Sequence, residues 1–158
     1  MAGTFRQPLS RFQGDARIVY IVSTWTETTT ANGPVLVTDD AVAAVELPRE
    51  LSDAVCAYTR ANRFVGPVVE MPNGRRLHLV TGLRHAGRAV AALRGWGAVV
   101  HTDGAVVALP GMRYVTGTVR WAISPDEARW TPPIVLVSAA VRAARAGEPV
   151  PQVALAAR

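Results

Sequence analysis

Glu46, Arg75, Arg76 and His78 are the residues of this chain whose types and spacing could do chemistry. Two guanidinium groups and an imidazole along one edge could grip a phosphate, and the carboxylate would be the remnant of a polar site. Arginine presents a rigid fork of donors, and histidine a titratable one. Their spacing is that of strands, in which successive side chains point to opposite faces. In AVAAVEL (41–47), Ala43, Val45 and Leu47 share one face, and Val42, Ala44 and Glu46 the other. In RRLHLVT (75–81), Leu77 and Leu79 are expected to face helices, leaving Arg76, His78 and Val80 on the open side. Glu46, Arg76 and His78 would then meet on that open face. They would form either a partly exposed ion pair beside a histidine or the remnant of a polar site.

Other candidates have simpler explanations. His78, His85 and His101 have no metal-ligand spacing and no cysteine or histidine partner nearby. Asp39 and Asp40 are adjacent, and neighbours on a strand point opposite ways, so a turn explains them better than a carboxylate pair. Cys56 lies beside an apolar helical stripe without a histidine to activate it, which suits a core or boundary residue. There is no Walker loop, no GxGxxG and no GxSxG elbow. No catalytic residue, metal ligand or cofactor is assigned.

Two turn signals order the elements around these residues. Asn73-Gly74 sits between PVVEM (67–71) and RRLHLVT, and Asp103-Gly104 between AVVHT (98–102) and AVVAL (105–109). Both dipeptides tolerate the positive φ angles of a type I′ turn, so each predicts a hairpin. One helix is predicted over about 49–63, where Leu51, Val55 and Tyr58 make a stripe and Pro48 suits the first turn. A second covers about 86–94, with Val90 and Leu93 inward and Gly95 as its stop. A third follows Pro132-Pro133 and ends at Gly147, with Arg142 and Arg145 outward. The sum is α+β: a ferredoxin- or RRM-like βαββαβ core with one further strand.

Upstream, 16–23 and 34–38 read as strands and the Thr-rich 24–33 as a loop or edge ribbon. The expected organisation is a flexible lead-in over 1–15, one domain over 16–147 and a tail over 148–158. The open sheet face would carry Val42, Ala44, Ala98 and Val100, too apolar to stand in water. The N-terminal strands, the last helix or a second copy of the chain must cover it, so a homodimer through that face is one expectation.

With 158 residues the chain can bury a core without disulfides or metal. Its single cysteine fits a reducing compartment, and its N-terminus has no apolar signal region. No apolar run approaches the roughly 18 residues that span a bilayer. A cytoplasmic protein without a membrane partner is expected. The net charge of +5 points toward nucleic acid, although all 17 basic residues are arginine, as high-GC coding also produces. Base-stacking sheets of this topology carry aromatic residues on their central strands. Here the tryptophans lie elsewhere, at Trp25, Trp96, Trp121 and Trp130, the last two flanking a loop-like SPDEAR as packing anchors.

Three stretches carry a resemblance: GPVLVTDDAVAAVELP (33–48), PNGRRLHLV (72–80), and GAVVHTDGAVVALPG (97–111) followed by VRWAISP and a Pro-led helix. Over about 33–146 the chain resembles the bifunctional DNA primase/polymerase (prim-pol) domain of the archaeo-eukaryotic primases. It is most similar to short, divergent members from high-GC bacteria. The resemblance implies an RRM-like catalytic half, and the departures are informative. Where the family has two acids as D-x-D, this chain has Glu46 and Pro48. The Gly-Gly-Arg-His motif, whose histidine helps hold the nucleotide phosphate, corresponds to Asn73-Gly74-Arg75-Arg76, with His78 two residues on. The third acid corresponds to Ala98, and Pro-Pro-Ser to Leu109-Pro110-Gly111. The part of the family fold that precedes the first acidic strand is abbreviated. Two-metal phosphoryl transfer needs carboxylates converging on cations about 4 Å apart, which Glu46 alone cannot supply.

Three readings follow. The first is a non-catalytic prim-pol-like module that binds DNA or a nucleotide or regulates, with a phosphate-binding edge of Arg75, Arg76 and His78 and with Arg113 and Arg120 in support. The second is a protein–protein or dimerisation module without nucleic-acid affinity. The third is a residual nucleotide-dependent enzyme using Glu46 and His78.

Overall fold

A computed structural model of the protein describes residues 3–4 and 25–147. Strands β1 (Gly3–Thr4), β2 (Thr26–Thr30) and β3 (Gly33–Val37) open the fold, followed by β4 (Ala43–Leu47), α1 (Arg49–Ala61), β5 (Val68–Glu70) and β6 (Arg76–Val80). After a 3-10 turn come α2 (Gly87–Gly95), β7 (Val99–His101), β8 (Val106–Ala108), β9 (Arg113–Tyr114) and β10 (Gly117–Thr118). The chain continues as β11 (Arg120–Ile123), α3 (Pro125–Ala128) and α4 (Ile134–Ala146).

The main sheet has the order β11-β5-β6-β4-β7 and is antiparallel throughout. Without β11 this is the βαββαβ ferredoxin-like arrangement, with the first strand between the third and the fourth. A second sheet, β1-β2-β3-β8, lies across it. Strand β4 explains the two layers, because Ala43, Ala44, Val45 and Leu47 are all fully buried and only Glu46 keeps partial access to water. On one face Ala43, Val45, Leu47 and Val80 pack with Val55 of α1, Leu93 of α2 and Ile134, Val137 and Val141 of α4. On the other, Ala44, Val69, Leu77 and Leu79 meet Leu36 of β3, Val107 of β8, Trp25 and Val119.

Several expectations are corrected here. Leu77 and Leu79 fill the layer between the sheets, while His78 and Val80 turn to the helices. Ala98 and Val100 also belong to the helix side. The face expected to be open is closed by the N-terminal strands together with β8, one of the three covers foreseen. The Thr-rich segment is a strand pairing with β1 and β3, and the SPDEAR loop is a one-turn helix capped by Ser124, whose Oγ accepts from Glu127 N at 3.2 Å. The lead-in contributes Gly3–Thr4 to the second sheet. The strand expected at 16–23 and the tail over 148–158 lie outside the described residues.

Both hairpins differ from the expectation, the first in its turn type and the second in its strand pairing. Between β5 and β6, Gly74 N donates to Met71 O and Met71 N to Arg75 O, each at 2.9 Å. Gly74 has φ +84° and Asn73 keeps a negative φ. This is a type I turn on Pro72-Asn73 closed by a glycine bulge, and it sets Glu70 opposite Arg76. At Asp103-Gly104 both φ angles are positive, 57° and 83°, as the dipeptide predicts. The flanking strands nevertheless do not pair: β7 stays beside β4 while β8 crosses to β3. Thr38 draws the chain over, donating its N–H to Ala105 O and accepting from Gly104 N, both at 2.9 Å. Asp39 forms the expected turn, its Oδ1 accepting from Ala41 N at 2.8 Å and Val42 N at 2.9 Å.

The predicted third helix leaves Pro132-Pro133 as expected and ends at a left-handed Gly147. Its lead-in runs beside β6, with Thr81 N donating to Pro132 O and Ile134 N to Thr81 O. Gly66 makes this approach possible, since a Cβ there would stand 2.3 Å from Pro132 Cδ. Gly66→Ala is therefore expected to lower stability by about 1–3 kcal/mol, as overpacking does. Chemical denaturation at neutral pH checks this, and an unchanged midpoint would contradict the close packing.

Candidate functional site

The polar residues of the main sheet fall into two groups on opposite faces. Strand β4 pairs with β6 so that Val45 faces His78, Glu46 faces Leu77 and Leu47 faces Arg76. Directly paired residues share a face, so Glu46 is separated from Arg76 and His78 by the sheet. The expected meeting of these three does not occur. The reason is the partner each face offers: α1 turns Ser52 and Asp53 toward β6, whereas the second sheet offers apolar surface suited to the two leucines.

On the helix side His78 is 5% exposed and hydrogen-bonded through Nε2 to Ser52 Oγ at 2.7 Å. Burial, with the nearby Arg76 guanidinium, pushes its pKa down to about 4, so the ring is neutral at pH 7. Arg76 bonds Asp53 of α1 and reaches Glu70 through Nε at 3.2 Å and Nη2 at 3.1 Å. Glu70, 8% exposed, also accepts from Arg120 Nε at 3.1 Å. Hydrogen bonds from Arg120 and Arg76 hold its carboxyl below the usual carboxylate range against the opposing effect of burial. Arg76 is thus held inside a structural network, with its side chain 11% exposed.

On the other face Glu46 stands between Arg75 and His101, its Oε2 2.8 Å from His101 Nε2. Burial alone would raise its pKa, but hydrogen bonds from His101 and Arg75 outweigh it and hold the carboxyl low. The acid is surrounded by cation-forming groups, and among the described residues no three His, Cys, Asp or Glu side chains converge as a metal site. No buried side-chain nitrogen or oxygen among them lacks a partner.

Of the basic residues singled out from the sequence for phosphate binding, Arg113 and Arg120 are the ones left exposed, and both lie at the sheet end. Arg120 keeps 71% of its side chain exposed despite its bonds to Glu70, and Arg113 is exposed on the β9–β10 hairpin. Between that hairpin and the β5–β6 turn is an open recess of about 340 Å³ lined by Arg49, Glu70 and Arg120, by Met71, Pro72 and Gly74 of the turn, and by Thr116, Gly117 and Thr118 of the hairpin. Arg49 and Glu70 were not singled out from the sequence. The turn itself was the available signal, because a glycine-bulge closure at Gly74 sets Glu70 across from Arg76.

Comparison with family models, curated proteins and solved structures finds no match for this chain. The fold and the charge placement are therefore its own best guide. Among the described residues no helix is long and apolar enough to cross a membrane.

Two measurements check this electrostatic account. Glu70→Gln leaves Arg76 short of a charged partner and is expected to cost about 1.5–3 kcal/mol, the range for hydrogen bonds to charged groups. Denaturation at pH 7 reads it, and a loss below a few tenths would contradict the network. For His78 the folded pKa lies below the ordinary 6.5, so the unfolded chain takes up the proton first. Its contribution is complete above pH 6.5, falls as pH drops toward 4, and amounts to about 3 kcal/mol. Glu46 and Glu70 contribute above the ordinary carboxylate pKa and are lost below it. Stability measured from pH 7 to 4 in His78→Gln is expected to show a flatter slope than the parent; equal slopes would refute a buried neutral imidazole.

Proposed function

We propose that this chain is a non-catalytic, prim-pol-like binding module of the cytoplasm that holds nucleic-acid phosphates at the recess between the β5–β6 turn and the β9–β10 hairpin. The observation that carries the reading is the pair Arg49 and Arg120 in one open recess, with exposed Arg113 on the adjoining hairpin. Arg49 and Arg113 form no ion pair among the described residues. Their charge is thus available to a ligand, whereas that of Arg75 and Arg76 is engaged by Glu46, Glu70 and Asp53. The phosphate-binding edge accordingly shifts from Arg75, Arg76 and His78 toward Arg49, Arg113 and Arg120.

The surroundings of Glu46 support the non-catalytic part of this reading. An acid flanked by Arg75 and His101 is an ion-pair partner, and a two-metal centre needs further acids beside it. Resemblance to the prim-pol domain agrees with a nucleic-acid ligand, and so does the net charge of +5.

Fluorescent single- and double-stranded DNA at about 50 and 200 mM salt tests the proposal, because phosphate contacts release counterions. Binding is expected at low salt and should weaken steeply at high salt. Arg49→Ala and Arg113→Ala should each reduce the salt slope by about one. Arg142→Ala, on the outer face of α4, should leave it unchanged. Absence of binding at low salt, or equal slopes in all variants, would overturn the reading.

A further inference from the structure

Strands β7 and β8 end their respective sheets, so the same short stretch of chain leaves an edge on both layers of the sandwich. Among the described residues neither edge has a further strand beside it. The pairing of β8 with β3 specifies which groups are open. Leu109 N donates to Pro34 O, and Ala105 O accepts from Thr38 N. In an antiparallel ladder alternate residues bond the same neighbour. Residues 105, 107 and 109 therefore serve β3, and Val106 and Ala108 direct their backbone groups away from the sheet.

The side chains on these edges are unlike those on the rest of the surface. Val106 is 60% and Val99 44% exposed, two of the five large apolar side chains left open among the described residues. From Gly95 to Met112 there is no lysine or arginine, the only carboxylate is Asp103, and His101 is bonded to Glu46, in a chain with 17 arginines. Natural sheet edges are normally blunted by charge, proline or cover, and β7 and β8 contain no proline, lysine, arginine or carboxylate. By contrast, β11 at the far edge of the main sheet carries Arg120.

We propose that a second copy of this chain covers the edge, with β8 pairing antiparallel to β8 of its partner around a two-fold axis. Self-association fits this edge specifically. Two chains of net charge +5 repel one another wherever arginines face each other, and no arginine lies between Gly95 and Met112. A two-fold contact is self-complementary, so an uncharged apolar strand can meet its own copy without a mismatched charge. Val106 and Val99 would supply apolar contact beside the backbone bonds. With three residues in β8 the pairing is short, so the dimer should depend on concentration.

Sedimentation velocity from about 5 to 200 µM is the experiment, because dissociation constants in the micromolar range are readable there. A monomer–dimer equilibrium is expected in the parent protein. Val106→Arg adds repelling charge at the contact and should weaken association at least about tenfold. Val106→Pro removes an outward N–H without touching the β3 ladder and should do the same. Circular dichroism confirms that either variant is folded, and Val135→Arg, exposed on α4, is the control and should dimerise normally. Hydrogen exchange completes the test: the Val106 and Ala108 amides should gain protection as concentration rises. A monomer at all concentrations, or a dimer unaffected by both Val106 variants, overturns the proposal. Protection of those amides in a monomer would also overturn it, assigning the edge to another segment of the same chain. None of these three outcomes bears on DNA binding at the recess, which lies on the side of β5 and β11.

Discussion

Both faces of β4 are covered except at Glu46, and that constraint decides where the charges of the strands beside it can stand. Ala43 and Val45 meet helices while Ala44 meets the second sheet, so the strand accommodates no polar side chain until Glu46 near its end. Polar groups elsewhere on the sheet must either find partners on a covering element or move to an end. His78 and Arg76 take the first course, finding Ser52 and Asp53 on α1. Glu46 takes the second, reaching Arg75 and His101 where the sheet ends. Burying a polar group without a partner costs about 1–3 kcal/mol, so these arrangements are required by the two-layer packing.

From this follows a division among the arginines. Arg76 connects α1 to the β5–β6 hairpin, and Arg75 ties the same hairpin to β4. Arg49, Arg113 and Arg120 stand where charge reaches solvent, and the last of these serves both purposes. The excess of arginine over acid that the composition records is thus unevenly spent. Stability takes up the residues nearest the apparent motif, and the recess is left with those farther from it.

Much of the fold was legible in the sequence because turn chemistry and periodicity agree there. The stripe of Leu51, Val55 and Tyr58, the Pro132-Pro133 lead-in and the Gly147 stop all lie where these signals place them. The side assignment of β6 was not legible, for a physical reason. A strand buried on both faces carries no unique inside, and the leucines at 77 and 79 suited either layer. The second hairpin failed on a different ground. Asp103-Gly104 forms the turn that its φ angles permit, but a turn reports only the local chain, and the bonds to Thr38 decide which sheet receives β8. At Asn73-Gly74 the register depends on whether Pro72 joins the turn, and one residue of slip moves every side chain to the other face. The candidate site suffered most, since Glu46, Arg76 and His78 looked adjacent only under the wrong face for β6. Arg113 and Arg120 were visible as basic residues, but the β9–β10 hairpin that carries Arg113 and bounds the recess was not read from the sequence.

The division of the arginines is tested most directly by neutralising one of each kind and reading two properties of both proteins. Arg76→Gln and Arg49→Gln would be compared for denaturant stability and for the salt dependence of DNA binding. The account predicts that Arg76→Gln loses about 2 kcal/mol with its salt slope unchanged, while Arg49→Gln keeps its stability and loses about one unit of slope. A stable Arg76→Gln protein with a reduced slope, beside an Arg49→Gln protein that binds as the parent does, would place the phosphate contact on the buried network and contradict the account.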